Sequence, residues 1–521
     1  MKRLLPLSLL FLGVFFYLPI FLIVKEGIDV KALVDVLTDS YHLRVISFTF
    51  VQAIGSTVVT LVIGLPGAYI FAKYDFPGRD FLKALITIPF VMPSVMVALG
   101  FLILFGKSGP FGWLNILYSW KAIILAHAFY NYPVVVRMVS AVLERTNPHY
   151  EEAAMTLGAR GFLLFRKVTF PLILPGVISS ALLTFTFSFM SFSIPLILGG
   201  YKYSTLEVDI FASIMVLLDF KTGSALALLQ LILSLVFIYA YLKILTFYAK
   251  MEEQRIMIEK KKLKGLTLYL TLLYFAFIGV FIIGPLMAVV VDSLTYDGRI
   301  SLEWYMRAFS EEYNPMFGTT SIRTILNSLI FGVFTMVISL LVALPLAYTI
   351  TKYRFKGKIL IDALATLPLA SSSVVLGLGY LLAFRKTPLY DSWVIIVLAH
   401  STIAYPFVLR ALSSSLVKIK KSLFEAALTL GAKEGIAFKE VELPLIQKGL
   451  ITGALFAFAI SLGELATTYM LARPEYTTLT MAIYKFISAR QFGPASALAV
   501  ILMFVSGISF LIIEKVGGEI W

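Results

Sequence analysis

The sequence predicts an all-α, polytopic membrane protein of about 12 transmembrane helices, built as two homologous six-helix halves with short cytoplasmic helices between spans. Three observations predict it: an apolar composition, apolar runs of membrane length, and a stretch of sequence that occurs twice. Of 521 residues, 59% are hydrophobic and only 14% are charged. The mean hydropathy is +0.91. A water-soluble fold of that composition would expose large apolar patches, so lipid must form part of the solvent.

A bilayer core is crossed by about 20 apolar residues in helical form. Such runs read as Leu4 to Val24, Val45 to Ala72, Leu82 to Phe105, Tyr118 to Leu143, Leu172 to Leu198 and Ser224 to Ala249 in the first half of the chain. In the second half they read as Leu266 to Val291, Thr324 to Ile350, Ile359 to Phe384, Ser392 to Val417, Gly449 to Leu471 and Ala495 to Ile513. The first run follows Met1-Lys2-Arg3 in the manner of a signal peptide. It is longer than an h-region of about 7–15 residues and no small-residue cleavage site follows, so it is expected to remain as a helix.

The net charge of +14 raises the question of a nucleic-acid partner, but membrane topology accounts for it. With the amino terminus inside, about 26 Lys and Arg fall on the cytoplasmic side and about 15 outside, as the positive-inside rule requires. Arg137, Lys243 and Arg410 fall within spans. The expectation is a multi-pass protein of the cell (inner) membrane with both termini cytoplasmic, in contact with lipid and with no nucleic acid. The absence of cysteine excludes disulfides, thiolate metal sites and a thiol nucleophile.

The repeat is explicit. Leu65 to Phe76 reads LPGAYIFAKYDF and Leu344 to Phe355 reads LPLAYTITKYRF, an offset of 279. The same offset carries Pro89 onto Pro368 and Gly100 onto Gly379. Beyond an outside loop that is shorter in the second copy the offset becomes 273, where His127 meets His400, Tyr132-Pro133 meets Tyr405-Pro406 and Arg137 meets Arg410. The chain therefore divides into a first repeat (1–249), a basic cytoplasmic linker (250–265) and a second repeat (266–521), the repeats being parallel. Lys260, Lys261 and Lys262 in the linker are expected to anchor the next span at the headgroups.

Most inside loops are short, but the one between the fourth and fifth spans of each half runs to about 25–30 residues, longer than a connection needs. In the second copy Ser422 to Glu425 reads as a capping box. Gly431 then ends a short helix, Lys433 to Val441 can form another, and Pro444 opens the next span. In the first copy Asn147-Pro148, Gly158 and Pro171 mark the same helix, glycine, helix unit.

These two loops carry EAAMTLGAR from Glu152 and EAALTLGAK from Glu425, followed by Val168-Thr169-Phe170-Pro171 and Val441-Glu442-Leu443-Pro444. Both resemble the EAA loop of binding-protein-dependent ATP-binding-cassette importer permeases, whose pattern is EAA, three residues, G, nine residues, I-x-L-P. Val168 and Val441 stand where the pattern has Ile, and Phe170 where it has Leu. The sequences FPGR at Phe76 to Arg79, STLEVDI from Ser204 and SLGE at Ser461 to Glu464 are similar to fused permeases for ferric iron or thiamine.

The resemblance implies that each short helix docks on a separate cytoplasmic ATPase subunit and passes its motion to the spans. The coupling residues would be Glu152, Ala153, Ala154 and Gly158, with Glu425, Ala426, Ala427 and Gly431. It also implies an extracytoplasmic solute-binding protein as a third component, and ATP with magnesium used by the ATPase partner and not by this chain. Helix capping is an equally good reading of Glu152 and Glu425.

Three residues inside spans are candidates for the translocation path. Glu464 is the most deeply placed acid, and a carboxylate at that depth is expensive enough to ask for a function. Its counterpart in the repeat is Ser191. His127 and His400 either line the path or hydrogen-bond a neighbouring helix. Neither has a second ligand at helical spacing, so no metal site and no bound cofactor is expected. Tyr132-Pro133 and Tyr405-Pro406 are expected to bend their spans.

No catalytic residues are expected either. Gly106-Lys107-Ser108 lacks the upstream glycine of a phosphate loop, Phe101 being there, and no soluble segment is long enough for an ATPase domain. A secondary transporter driven by an ion gradient would also suit two parallel repeats, but would not need paired docking loops.

Overall fold

A computed structural model describes residues 4–249 and 260–517. The chain is helical nearly throughout. In the first half α1 (Leu5–Gly27) and α2 (Val30–Thr38) precede α3 (Ser40–Lys73), which Asp39 starts by accepting from the amides of Tyr41 and His42. There follow α4 (Arg79–Val91), α5 (Ser94–Phe105), α6 (Trp120–Arg145), α7 (His149–Thr156), α8 (Gly161–Phe189), α9 (Ser193–Leu198), α10 (Leu206–Met215) and α11 (Phe220–Ala249).

The second half repeats the pattern. It runs through α12 (Gly265–Ser293), α13 (Glu303–Ala308), α14 (Ser321–Lys352), α15 (Lys358–Ala370), α16 (Ser373–Phe384) and α17 (Val394–Val417). It closes with α18 (Lys421–Thr429), α19 (Glu434–Leu445), α20 (Gln447–Gly463), α21 (Ala466–Leu471), α22 (Leu479–Ser488) and α23 (Phe492–Gly517).

Among the described residues 9 helices are long and apolar enough to cross a membrane, or up to 12 if each bent pair counts as one span. Two of the bent pairs fall in the runs read as Leu82 to Phe105 and Ile359 to Phe384. Helices α4 and α5 meet at 100°, and α15 and α16 at 102°. The causes are local. Pro93 has no amide to continue the ladder, and Ser372 starts a new helix by accepting from the amide of Val375. Two more runs are interrupted, at residues 190–192 before α9 and at Glu464-Leu465 before α21. By contrast α6 and α17 continue through Pro133 and Pro406 without a break.

The helices gather into two compact units that do not follow the sequence halves. The first unit takes the described residues of Leu37–Asp209 and Ile232–Val291. Its core joins α3, α6 and α8 through Ala68, Ala72, Val135, Val139, Leu143, Ile173 and Val177. Helix α12, which belongs to the second repeat by sequence, packs here. The Phe275 ring packs edge-on against Phe71 at 5.4 Å and tilted against Phe76 at 5.5 Å. The Tyr274 hydroxyl lies 2.7 Å from that of Tyr132 and donates to the Ile63 carbonyl at 2.9 Å. Gly100 of α5 lies so close to α12 that an added Cβ would stand 2.5 Å from the Pro285 oxygen.

The linker is also held in this unit. Residues 250–259 lie outside the described residues. After them β2 (Lys261–Lys262) runs parallel to β1 (Tyr74–Asp75), and Lys260 pairs with Glu144 at 2.9 Å. The three lysines thus join the segment after α3 and the last turn of α6, both within the first repeat.

The second unit takes the described residues of Met1–Val36, Ile210–Leu231 and Asp292–Ile520. Its core joins α14, α17 and α20, and α1 contributes Leu12 to it. Tyr17 of α1 donates to the Leu364 carbonyl at 2.7 Å. A Cβ on Gly379 of α16 would stand 2.8 Å from Pro19 Cβ. Each repeat has therefore sent its first helix into the unit built by the other. Gly100 against Pro285 and Gly379 against Pro19 are the two matching contacts.

Candidate functional site

Both long inside loops form the expected helix, glycine, helix unit. In the first, α7 starts after Asn147, whose side chain accepts from the His149 amide at 2.9 Å. It is closed by Gly158 at φ +88. The Gly158 amide donates to Met155 O and the Ala159 amide to Ala154 O, both at 3.0 Å. In the second, Gly431 has φ +87. Its amide donates to Leu428 O and the Ala432 amide to Ala427 O, again at 3.0 Å. The paired bonds satisfy the last carbonyls of a helix and require a residue in the left-handed region, which glycine enters without cost.

The capping box at Ser422 does not form. Helix α18 begins two residues early, with Lys420 extended at its start and no side-chain cap. Ser422 is then already helical, and Glu425 pairs with Lys421, one turn before it, at 2.7 Å. In the first copy Glu152 pairs with His149 at 2.8 Å. Neither pair is buried, so each holds its carboxylate loosely.

Glu152, Ala153, Glu425 and Ala426 are exposed, as are both glycines, while Ala154 and Ala427 are half-buried. Each loop also presents apolar side chains to solvent that sequence reading did not single out. Leu157 and Leu430 occupy the same place in the two copies and each is 89% exposed. Around them Tyr150, Met155 and Phe162 are exposed in the first copy, and Leu423, Leu428 and Ile436 in the second. An apolar patch on a loop outside the membrane signals a partner surface. The leucine was visible in the repeat, between each EAA and its glycine.

The path candidates fall in different units. His127 is buried beside Ser56 at 3.2 Å, and its Nε2 has no hydrogen-bond partner among the described residues. His400 is buried and fully bonded, with Nδ1 at 2.8 Å from Ser461 Oγ and Nε2 at 2.8 Å from Thr468 Oγ1. Ser461 lies on α20 and Thr468 on α21, so His400 bridges the break that separates them. Glu464 sits in that break, half-buried, and accepts from the Thr467 amide at 3.1 Å. Its carbonyl accepts from the Thr468 and Thr480 hydroxyls. The first repeat cannot copy the bridge, because Pro195 stands where Thr468 stands in the second.

Replacing His400 with alanine removes both bonds from a site closed to water. We expect a loss of about 1–2 kcal/mol, read as a lower thermal midpoint in detergent, with glutamine recovering part of it. His127→Ala, which loses one long bond, is expected to cost less. No group of His, Asp and Glu among the described residues could hold a metal ion.

Comparison with known proteins places the chain. The family of binding-protein-dependent transport system inner membrane components matches residues 61–247 and again 336–516. The thiamine transport system permease protein of Haemophilus influenzae is 26% identical over 490 residues, covering 92% of this chain and 89% of that one. The ferric transport system permease protein of Actinobacillus pleuropneumoniae is 25% identical over 504 residues, covering 94% and 73%. The sulfate transport system permease protein of Salmonella typhimurium is 34% identical over 215 residues, covering 40% of this chain and 77% of its own. With two copies of the family's domain in one multi-pass polypeptide, the chain belongs to the binding-protein-dependent transport system inner membrane components, as a fused permease of an ATP-binding-cassette importer.

Proposed function

We propose that this permease admits a small solute, ferric iron or thiamine, into the cytoplasm by alternating access. An extracytoplasmic binding protein delivers the solute, and two cytoplasmic ATP-binding-cassette subunits supply the energy with their own ATP and magnesium. The ATPase subunits grip α7 and α18. Glu152, Ala153, Ala154, Gly158, Glu425, Ala426, Ala427 and Gly431 form the two contacts, with Leu157 and Leu430 as apolar knobs. Glu464, His127 and His400 belong to the path or to the helices that shape it. Both termini face the cytoplasm.

The observation that carries this reading is the pair of identically closed helices, each with an exposed leucine beside a left-handed glycine. The cargo rests on the two relatives that run most of this chain's length, whose names specify thiamine and ferric iron. Glu464 suits a cationic cargo.

The test is uptake into proteoliposomes holding the chain, its ATPase subunits and its binding protein, with thiamine, ferric iron, sulfate and a polyamine offered in turn. ATP-dependent uptake of thiamine or ferric iron is expected. Uptake by the chain alone under an ion gradient would overturn the drive, and preference for sulfate would overturn the cargo. Cysteine labelling near Leu157 and Leu430 should succeed only from the cytoplasmic side.

A further inference from the structure

The repeat register exposes a difference between the two loops. Lys73 and Lys352 occupy the same place, each the last residue of its helix, α3 or α14. Their side chains are only 10% and 15% exposed. The carboxylates they meet do not correspond.

In the first half Lys73 Nζ lies 2.6 Å from Glu151 of α7, and the other Glu151 oxygen accepts from the Thr169 hydroxyl at 2.7 Å. In the second half Phe424 stands at the place of Glu151 and Glu442 at the place of Thr169. Lys352 Nζ lies 3.2 Å from Glu442, which is buried in α19. The acid has moved from the exposed docking helix to the helix beyond the glycine.

The consequence is mechanical. In the first loop the ion pair ties α7 directly to the end of α3, ahead of Gly158. In the second loop the only tie ahead of Gly431 that Lys352 makes among the described residues is a long hydrogen bond, 3.4 Å, to the Ile419 carbonyl before α18. A displacement of α18 must cross Gly431 before it reaches an ion pair of that lysine. A second carboxylate stiffens the first half further. Glu144, at the end of α6, lies 2.8 Å from Arg79, 2.9 Å from Lys260 and 3.6 Å from Lys83, whereas Val417 holds its place in the second half.

We propose that Glu151 is a positioning residue that locks the first docking helix to the membrane helix α3, so that the two docking loops transmit unequally, the first as a rigid link and the second as a compliant one. This rests on the ATPase-driven reading above. A charge-assisted hydrogen bond with little exposure to water is short, directional and weakly screened, which a transmitting contact requires. An ion pair that served only the fold would lower stability when broken, without altering how hydrolysis is converted into transport.

The experiment uses the full chain in proteoliposomes with its ATPase subunits and binding protein, measuring ATP hydrolysed per solute imported and the thermal midpoint. Glu151→Gln should raise the ATP cost per solute by about fivefold or more, while stimulated hydrolysis stays within about twofold of the parent. The double exchange Lys73→Glu with Glu151→Lys should restore the ratio, and Thr169→Val should give an intermediate value. Glu442→Gln should leave the ratio near the parent's even where it lowers the midpoint. Equal ratios in Glu151→Gln and Glu442→Gln, or a lowered midpoint with an unchanged ratio in Glu151→Gln, would overturn the proposal. If Glu151→Gln does not fold, the milder Thr169→Val decides by the same two readings. Absence of ATP-dependent uptake in the parent protein would instead defeat the function proposed above.

Discussion

Valine at Gly100 should unseat α12 from the first unit. The added Cβ would stand 2.5 Å from the carbonyl oxygen of Pro285 and 3.0 Å from its carbonyl carbon. Backbone atoms cannot rotate aside, so the whole helix must shift. Overpacking of this kind costs about 1–3 kcal/mol, and we expect the upper end of that range. Gly379→Val should act likewise on α1. There the nearest atoms are Pro19 Cβ at 2.8 Å and, at 3.1 Å, both the Pro19 carbonyl carbon and the terminal methyl of Ile23. Because the closest approach is 2.8 Å to a ring carbon, against 2.5 Å to a backbone oxygen at Gly100, Gly379→Ala should be tolerated better than Gly100→Ala.

The absence of native cysteine makes the measurement clean. A cysteine pair at Leu104 and Gly284, where an added Cβ would lie 3.7 Å from the leucine methyl, should cross-link in the parent and fail to do so in Gly100→Val. The thermal midpoint should fall in parallel. An unchanged cross-link would show that the helix contact tolerates the bulk.

Valine at Gly431 should abolish most transport while leaving the membrane helices in place. No atom lies within 4 Å of a Cβ built there, so the effect comes from the backbone alone. At φ +87 an L side chain costs about 1–2 kcal/mol, and a β-branched one more. That cost opens the closure of α18 and moves Leu430 from its place. We expect uptake to fall about tenfold or more, with normal insertion and a midpoint close to the parent's. Asparagine, which enters the left-handed region readily, should retain much of the activity. Gly158→Val should be milder, since the ion pair of Glu151 precedes that glycine. Parental uptake in both valine variants would exclude these loops as transmitters.

Much of this was legible in the chain itself. Apolar runs located the helices, and the fixed offsets of the repeat paired His127 with His400 and Gly158 with Gly431 before any geometry was known. What stayed hidden has physical causes. Hydropathy cannot show the turns at Pro93 and Ser372, because both arms of each bent pair are equally apolar. Helical periodicity marks which side of a helix packs, not against which partner, so the crossing of α1 and α12 between repeats left no local trace. The start of α18 slipped by two residues because Lys420 and Ser422 can each supply an extended residue there. The unequal roles of His127 and His400 depend on Pro195 and Thr468, a difference that lies in the register but matters only once the helix break is known.

The crossing of first helices bears on how such a chain can be made. Helix α1 leaves the ribosome before any of its eventual neighbours in α14, α16 and α17 has been synthesised, and the groove at Gly100 stays vacant until α12 is complete at Ser293. Neither unit can finish assembling while the polypeptide is half made. Severed in the linker, each fragment would carry a helix that the other needs, so the pieces would be obliged to find one another in equal number, a requirement that translation as one chain meets automatically.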